Sequence, residues 1–133
     1  MAIIKLQTNP IDVGYYYSLL KEPKYGGIDV FVGTVREWTG AEHTDFIEYT
    51  AYEAMAVKEL EKLAAPIEKR GDRVVIVHRL GKLELTDEAV FIGVASAHRE
   101  AAFDGCHSII DRLKETVPIW KKEVDGETER WGK

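Results

Sequence analysis

The sequence predicts an α+β fold with a mainly antiparallel or mixed sheet, and three observations carry that reading. Strand-like and helix-like segments do not alternate strictly, as a repeating βαβ fold would require. Two long stretches, residues 54–69 and 99–117, repeat apolar side chains at helical spacing. The closing run IWKKEVDGETERW carries a turn signal at Asp125-Gly126, which makes it a C-terminal hairpin.

Taken in order, AIIKLQ at residues 2–7 reads as a short strand. Thr8-Asn9-Pro10 then opens a helix, with Asn9 as cap and proline at the first helical position, running to about Lys21. Gly26-Gly27 turns the chain into GIDVFVGTVRE, whose nearly unbroken apolar run predicts a buried central strand. Residues 37–43, EWTGAEH, read as a polar loop, and TDFIEYTAYEA as a strand ending near Tyr52. In the helix from about Ala54 to Lys69, Met55, Leu60, Leu63, Ala64 and Ile67 mark the apolar face. DRVVIVHRL is the next strand, with a turn at Leu80-Gly81-Lys82, and EAVFIGVASA is another buried strand. In the second long helix, REAAFDGCHSIIDRLKETV, the stripe is Phe103, Cys106, Ile110, Leu113 and Val117.

The totals narrow the class. A length of 133 residues suits one domain, residues 1–133. Eighteen basic residues against 23 acidic ones leave a net charge of −5, which argues against broad binding to nucleic acid or a membrane surface. Cys106 is the only cysteine, so no intrachain disulfide and no cysteine-based zinc site can form. His43, His78 and His107 show no metal-ligand spacing, and neither a metal nor a cofactor is expected. MAIIKLQTNP is too short an apolar run for a signal peptide, and no stretch approaches the roughly 20 apolar residues of a membrane span. A reducing, cytoplasmic setting is the expectation.

Against this acidic background, KETVPIWKKE at residues 114–123 gathers cations around a proline and a tryptophan. At about 100° per residue, Lys114 falls beside Ile110 and Phe103, on the margin of the helix's apolar stripe. Partial burial there would lower its pKa and suit it to donate a proton or act as a nucleophile. Equally, its stem could cover core while the head reaches water. SAHRE, residues 96–100, sits where a strand passes into the same helix. Free N–H groups, the Arg99 guanidinium and the His98 imidazole could hold an anion there, or Ser96 or His98 could simply cap the helix. Arg36 ends a buried strand and needs a partner, either Glu48 or Glu53 or a ligand. Gly33 in that strand points to a close backbone approach or a bulge. Lys121 and Lys122 alternate along a strand, so only one of them faces the Pro118/Trp120 neighbourhood. Cys106, inside the stripe, reads as an inert core residue. No glycine-rich phosphate loop or nucleophile elbow is present. The residues alone point to a domain with an anion pocket drawn from Arg36, His98, Arg99, Lys114 and Lys121.

FVGTVREWTG, IEYTAYEAMA, VVIVHRLGKLELTDEAVFIGVASAHREAAFDGC and DRLKETVPIWKKE resemble the molybdopterin synthase large (catalytic) subunit family, in order and spacing, from about residue 28 to 131. The HRLG, SAHR and LK…VPIWKKE segments together carry the likeness. The resemblance implies an α/β-hammerhead arrangement and a homodimer within a heterotetramer. A small ubiquitin-like sulfur-carrier subunit would dock at each end, its Gly-Gly C-terminus carrying a thiocarboxylate. The implied reaction transfers two sulfurs to cyclic pyranopterin monophosphate and forms the molybdopterin dithiolene of molybdenum cofactor biosynthesis. By motif, the family's essential lysine falls on Lys114 and a second on Lys121; its anion-binding positions fall on Arg36, His98 and Arg99. Cys106 is then not required, because sulfur arrives on the partner.

Two departures stand out. Thr50 occupies a position where an acidic residue is frequent in the family. Many members also carry a further basic residue beyond the ERW segment that reaches the neighbouring subunit's site; here Arg130 or Lys133 would have to substitute. A rival reading keeps the pocket but makes the chain a non-catalytic module that binds a protein tail or an anionic metabolite.

Overall fold

The computed structural model describes residues 2–133. In chain order the elements are β1 (Ile3–Gln7), α1 (Val13–Ser18), β2 (Gly27–Thr34), β3 (Trp38–Thr39), β4 (Glu42–His43), β5 (Phe46–Ala51), α2 (Glu53–Lys69), β6 (Arg73–Arg79), β7 (Gly81–Glu84), β8 (Glu88–Ser96), α3 (Arg99–Thr116), β9 (Ile119–Asp125) and β10 (Thr128–Gly132). One sheet has the order β1-β6-β8-β2, with β1 and β6 parallel and the other pairs antiparallel. A second, wholly antiparallel sheet has the order β10-β9-β5-β7, and β3 and β4 form a small hairpin of their own. The mixed α+β architecture, two long helices and C-terminal hairpin match the expected class.

β6 and β8 are central because both of their faces are covered. Side chains alternate along a strand, so Val74 and Ile76 meet Leu60, Ala64, Cys106 and Ile109 of the two long helices. Val75 and Val77 turn the other way, into a cluster with Phe91, Tyr16 and Leu20. Each such side chain adds about 1.5–3 kcal/mol on burial, which explains why these strands read as unbroken apolar runs. A smaller cluster of Val35, Ile47, Leu83 and Ala89 lies under the second sheet. Among the described residues no helix is long and apolar enough to cross a membrane.

Several expected boundaries move. The first helix is only six residues long and is capped by Asp12, whose side chain accepts from the Tyr15 N–H at 3.0 Å. Asn9 and Pro10 stay outside it because the Gln7 amide donates to their carbonyls at 3.0 and 3.1 Å and holds them as a loop. The polar segment 37–43 is not a plain loop: Trp38 pairs with His43 and Thr39 with Glu42 across a turn at Gly40, where φ is +61°. Gly81, at φ +92°, passes directly into β7, so the strand begins inside the expected turn. Met55 and Phe103, expected in the core, are about half exposed, while Ala56 and Ile109 take the inward places. The rest of each expected stripe holds: Leu60, Ala64 and Ile67 of α2, and Cys106 and Leu113 of α3 with Val117 just past its end, are buried.

Two local features aim the chain at one place. Val117 precedes Pro118 and adopts an extended conformation, as a residue before proline must, so α3 ends at Thr116. Lys114 is thereby fixed in the last turn of α3, and Lys121 follows on the outgoing strand β9. In β2, the register with β8 slips between Gly33 and Thr34, the bulge expected at Gly33.

Candidate functional site

Between the end of α3, strand β9 and the far ends of β2 and β6 lies a cleft of about 330 Å³. Gly33 keeps it open: a Cβ there would come within 2.9 Å of Val90 and 3.3 Å of the Phe31 ring. Ile110, Leu113 and Ile119 form an apolar wall. Onto this space converge Arg36, Lys114, Lys121 and Lys133, and among the described residues of the lining Glu123 is the only acidic side chain. Four cations against one anion is a sharp reversal of the chain's net charge of −5.

The cations differ in how they are held. Lys121 lies 3.4 Å from Glu123. Arg36 stands two residues past the end of β2 and is exposed; its Nε donates to Thr39 Oγ1 at 3.3 Å. Neither Glu48 nor Glu53 pairs with Arg36; Glu48 is engaged by Lys122 at 3.3 Å. Lys133 has its ammonium 5.8 Å from the centre of the Trp120 ring. Among the described residues Arg36, Lys114 and Lys133 have no carboxylate partner, which leaves their charge available to a ligand. Lys114 occupies the helix margin beside Ile110 and Leu113, as its spacing implies, but it is exposed. The partial burial expected of it is absent in the single chain.

Lys122 belongs to the other face of β9. It lies 3.3 Å from Glu48 and 3.4 Å from Glu129, beneath the Trp131 ring, and these carboxylates raise its pKa. Arg130 is likewise committed within its own chain. Its Nε lies 2.7 Å from Glu42, and its Nη2 donates to the His43 carbonyl at 2.9 Å. Of the two C-terminal candidates for an extra cation, Lys133 enters this chain's own cleft and Arg130 does not.

His98 and Arg99 are elsewhere. His98 is the N-cap residue of α3 and Arg99 its first residue, both exposed. Lys114 is fifteen residues further along, about 22 Å at the helical rise. One chain therefore does not bring the five expected anion-binding residues together: Arg36, Lys114 and Lys121 share the cleft, and His98 and Arg99 stand at the opposite end of the helix.

The cleft floor holds two residues that sequence reasoning missed as site residues, Tyr49 and His78. Their rings meet edge to face, 4.9 Å apart. Burial drives the His78 pKa down to about 4 and pushes that of Tyr49 up. The parity of β6 would have found His78: it lies two residues beyond Ile76 and four beyond Val74, on the face that meets the helices. Cys106 is buried, its Sγ 3.7 Å from the Ile92 carbonyl, and burial pushes its thiol up to about 12, outside any nucleophilic range near neutral pH.

Beside the cleft mouth, His43 bridges two carboxylates, Nδ1 to Asp125 at 2.9 Å and Nε2 to Glu37 at 3.0 Å. Asp45 lies 3.7 Å from Nδ1. The hydrogen bonds to Asp125 and Glu37 raise the His43 pKa. This contact ties the β3–β4 hairpin, which carries Thr39, to the β9–β10 turn.

The sequence model of the MoaE protein family matches residues 6–116. The chain is 40% identical to the molybdopterin synthase catalytic subunit of Bacillus subtilis (strain 168), over 98% of this chain and 85% of that protein. The crystal structure of molybdopterin synthase from Staphylococcus aureus superposes with a TM-score of 0.90 at 38% identity, covering 96% of this chain and 95% of that one. A protein–protein complex of subunits 1 and 2 of molybdopterin-converting factor from Helicobacter pylori 26695 shares the fold, with a TM-score of 0.84 at 21% identity and coverage of 98% and 90%.

Proposed function

This chain belongs to the MoaE family, and on that premise we propose that its cleft is the sulfur-transfer site of a molybdopterin synthase, the chain being the catalytic subunit. The substrate is cyclic pyranopterin monophosphate. Sulfur arrives on the C-terminal thiocarboxylate of a small ubiquitin-like partner ending in Gly-Gly, and the product carries the dithiolene of molybdenum cofactor biosynthesis. The observation that supports this best is the gathering of Arg36, Lys114, Lys121 and Lys133 in one cleft of an acidic chain. A phosphate and a thiocarboxylate are both anions, and both must meet in the same space.

Each residue then has a chemical role. Arg36 offers a planar fork to a phosphate or carboxylate. Lys114 stabilises negative charge on sulfur or oxygen as the thiocarboxylate adds to the pterin, or donates a proton there. Its exposure in the single chain fits a site that the partner's tail completes, because displacing water strengthens the ammonium's field. Lys121 assists from the opposite wall, held by Glu123. His98 and Arg99 serve an anion through a second copy of the chain in a homodimer, since their own cleft lies a helix length away.

The rival reading, a binding module without turnover, draws on the same exposure of Lys114, which lacks the burial that tunes a lysine. Single-turnover reaction of the purified chain with saturating thiocarboxylated partner and the cyclic pterin separates the two. The enzyme reading expects dithiolene product. Tight binding of both ligands with no product would overturn it in favour of the module.

A further inference from the structure

We infer that His78 is a substrate-binding residue of the cleft, accepting through its Nε2 lone pair a hydrogen bond from a ring N–H of the bound pterin. This inference rests on the sulfur-transfer reading of the same cleft.

His78 is 5% exposed, yet it lines the cleft at the end of β6. Its Nδ1 lies 2.8 Å from the Arg79 carbonyl oxygen. A carbonyl only accepts, so Nδ1 carries the proton, and a neutral ring must then present Nε2 as a bare acceptor. Among the described residues Nε2 has no hydrogen-bond partner, and it is not among the fully enclosed polar atoms left without one. Some of its surface is therefore accessible, and His78 lines the cleft. A buried acceptor left unpaired is destabilising, and native structures retain such groups where a ligand or water completes them.

The surroundings hold the ring neutral. The charged and titratable groups facing the cleft are Lys114 from α3, Lys121 and Glu123 from β9, Tyr49 from β5, Arg36 after β2, and Lys133. Cations outnumber the single carboxylate residue, and Glu123 already has Lys121 at 3.4 Å and Arg130 at 3.6 Å. A second charge on His78 would be buried and repelled, in keeping with its pKa of about 4.

The floor thus selects a different group from the walls. Phosphate oxygens would meet the Nε2 lone pair with repulsion, so the phosphate belongs with Arg36 and the lysines. An N–H of a flat heterocycle belongs at His78, against the rings of Tyr49 and Phe31. A ligand with a phosphate at one end and a ring rich in N–H donors at the other satisfies both. The backbone N–H groups of the partner's tail are the competing donors, and the test separates them.

The experiment measures three affinities in the full chain: for cyclic pyranopterin monophosphate, for inorganic phosphate as its competitor, and for the thiocarboxylated partner. His78→Phe keeps a ring beside Tyr49 and removes the acceptor. His78→Asn keeps a donor for Arg79 but withdraws the acceptor from the cleft, and it decides the matter if the phenylalanine variant does not fold. His78→Gln restores an acceptor near the Nε2 position. Expected is a loss of about tenfold in pterin affinity for His78→Phe and His78→Asn, the scale of one neutral hydrogen bond. Phosphate and partner affinities should be unchanged, and His78→Gln should bind pterin within about threefold of wild type. Wild-type pterin affinity in His78→Asn, an equal loss of phosphate and pterin, or a loss confined to the partner would each overturn the assignment. A wild-type chain that binds phosphate and partner but no pterin would instead overturn the sulfur-transfer reading, and His78's role with it.

Discussion

The Lys121 ammonium lies 3.4 Å from the Glu123 carboxylate on the wall of the cleft, two residues away on the same face of β9. Glu123 is mostly buried and is also approached by Arg130 at 3.6 Å. It pairs with Lys121 and places a negative charge in the lining of the proposed anion site. Glu123→Gln should therefore raise the affinity for inorganic phosphate, by about threefold to tenfold at the effective dielectric of a half-buried pair. Competition binding at low salt checks this. An unchanged or weaker phosphate affinity would mean that Glu123 acts by positioning Lys121 and that its charge is not felt at the site.

Arg36 offers a related test. Its Nε donates to Thr39 Oγ1 at 3.3 Å, and no carboxylate among the described residues pairs with it. Arg36→Ala should weaken phosphate and pterin binding by about 1.5–3 kcal/mol if the bound contact is dehydrated. Thr39→Val removes the tether and leaves the charge, so its loss should be smaller. Equal effects of the two substitutions would show that the hairpin, and not the guanidinium, carries the binding.

Two histidines give the chain opposite responses to pH. His43, bonded to Asp125 and Glu37, has a pKa raised above its unfolded value of 6.5. Its contribution to stability is fully present below pH 6.5 and is lost as pH rises through the folded value. His78 is the reverse, with a folded pKa of about 4. Above pH 6.5 it is neutral folded or unfolded and contributes no pH dependence. As pH falls from 6.5 towards 4 the unfolded state binds a proton that the folded state refuses, a destabilisation that reaches about 3 kcal/mol. In urea melts across pH 4 to 8, His78→Gln should gain on wild type as pH falls. His43→Gln should be worst relative to wild type in acid and approach it above neutrality. Parallel curves for either variant would refute the corresponding assignment.

Strands β6 and β8 are readable from the sequence because burial on both faces leaves an apolar run, but such a run does not by itself mean a central strand: GIDVFVGTVRE, expected to be buried and central, forms the edge strand β2, with Phe31 39% exposed. Strand β6 is bounded at Arg73 and Arg79, and β8 at Glu88 and Ser96, close to where the run begins and ends. The end of α3 was readable because Pro118 imposes it. The short first helix was not, because Asn9-Pro10 is a good cap whose competitor, the Gln7 side chain, is visible only in three dimensions. The site divides along the same line. Lys114 and Lys121 flank a proline turn and are close in sequence, so their convergence is a local property. His78, Tyr49 and Lys133 come from separate strands and the chain's far end, and only the pairing of β5 with β9 brings Tyr49 opposite Lys121. His98 and Arg99 share a helix with Lys114, and sequence proximity to that helix said nothing about which end faced the cleft.

Lys114 and Lys122 offer a matched pair of variants that tests the catalytic role proposed for Lys114. Both are lysines near Pro118, but Lys114 lines the cleft without a carboxylate partner, whereas Lys122 is engaged by Glu48 and Glu129 on the other face. Lys114→Ala should fold and bind the small partner, yet lose dithiolene formation by about a hundredfold or more, as removal of a preorganised electrostatic group does. Lys122→Ala should keep most activity, since surface pairs contribute about 0–1 kcal/mol to stability. Single-turnover product formation reads both. A near wild-type rate for Lys114→Ala together with failure of Lys122→Ala would reverse the assignment of faces.

Arg99 and Lys114 stand at opposite ends of α3. If both act on one substrate, the helix of about 22 Å between them forces the arginine to come from a second copy. Lys114→Ala and Arg99→Ala homodimers should then each be inactive or nearly so, every site carrying one lesion. Mixed and allowed to exchange, they form heterodimers with one site bearing both lesions and one bearing neither. The intact site pairs Lys114 of the Arg99→Ala chain with Arg99 of the Lys114→Ala chain. With equal amounts and random exchange in a two-fold dimer, activity should recover to about a quarter of wild type. If Arg99 served the cleft of its own chain, every site in the heterodimer would keep one lesion and mixing would restore nothing. Assay of the mixture before and after subunit exchange, beside the unmixed variants, decides between these arrangements without reference to any ligand-bound structure.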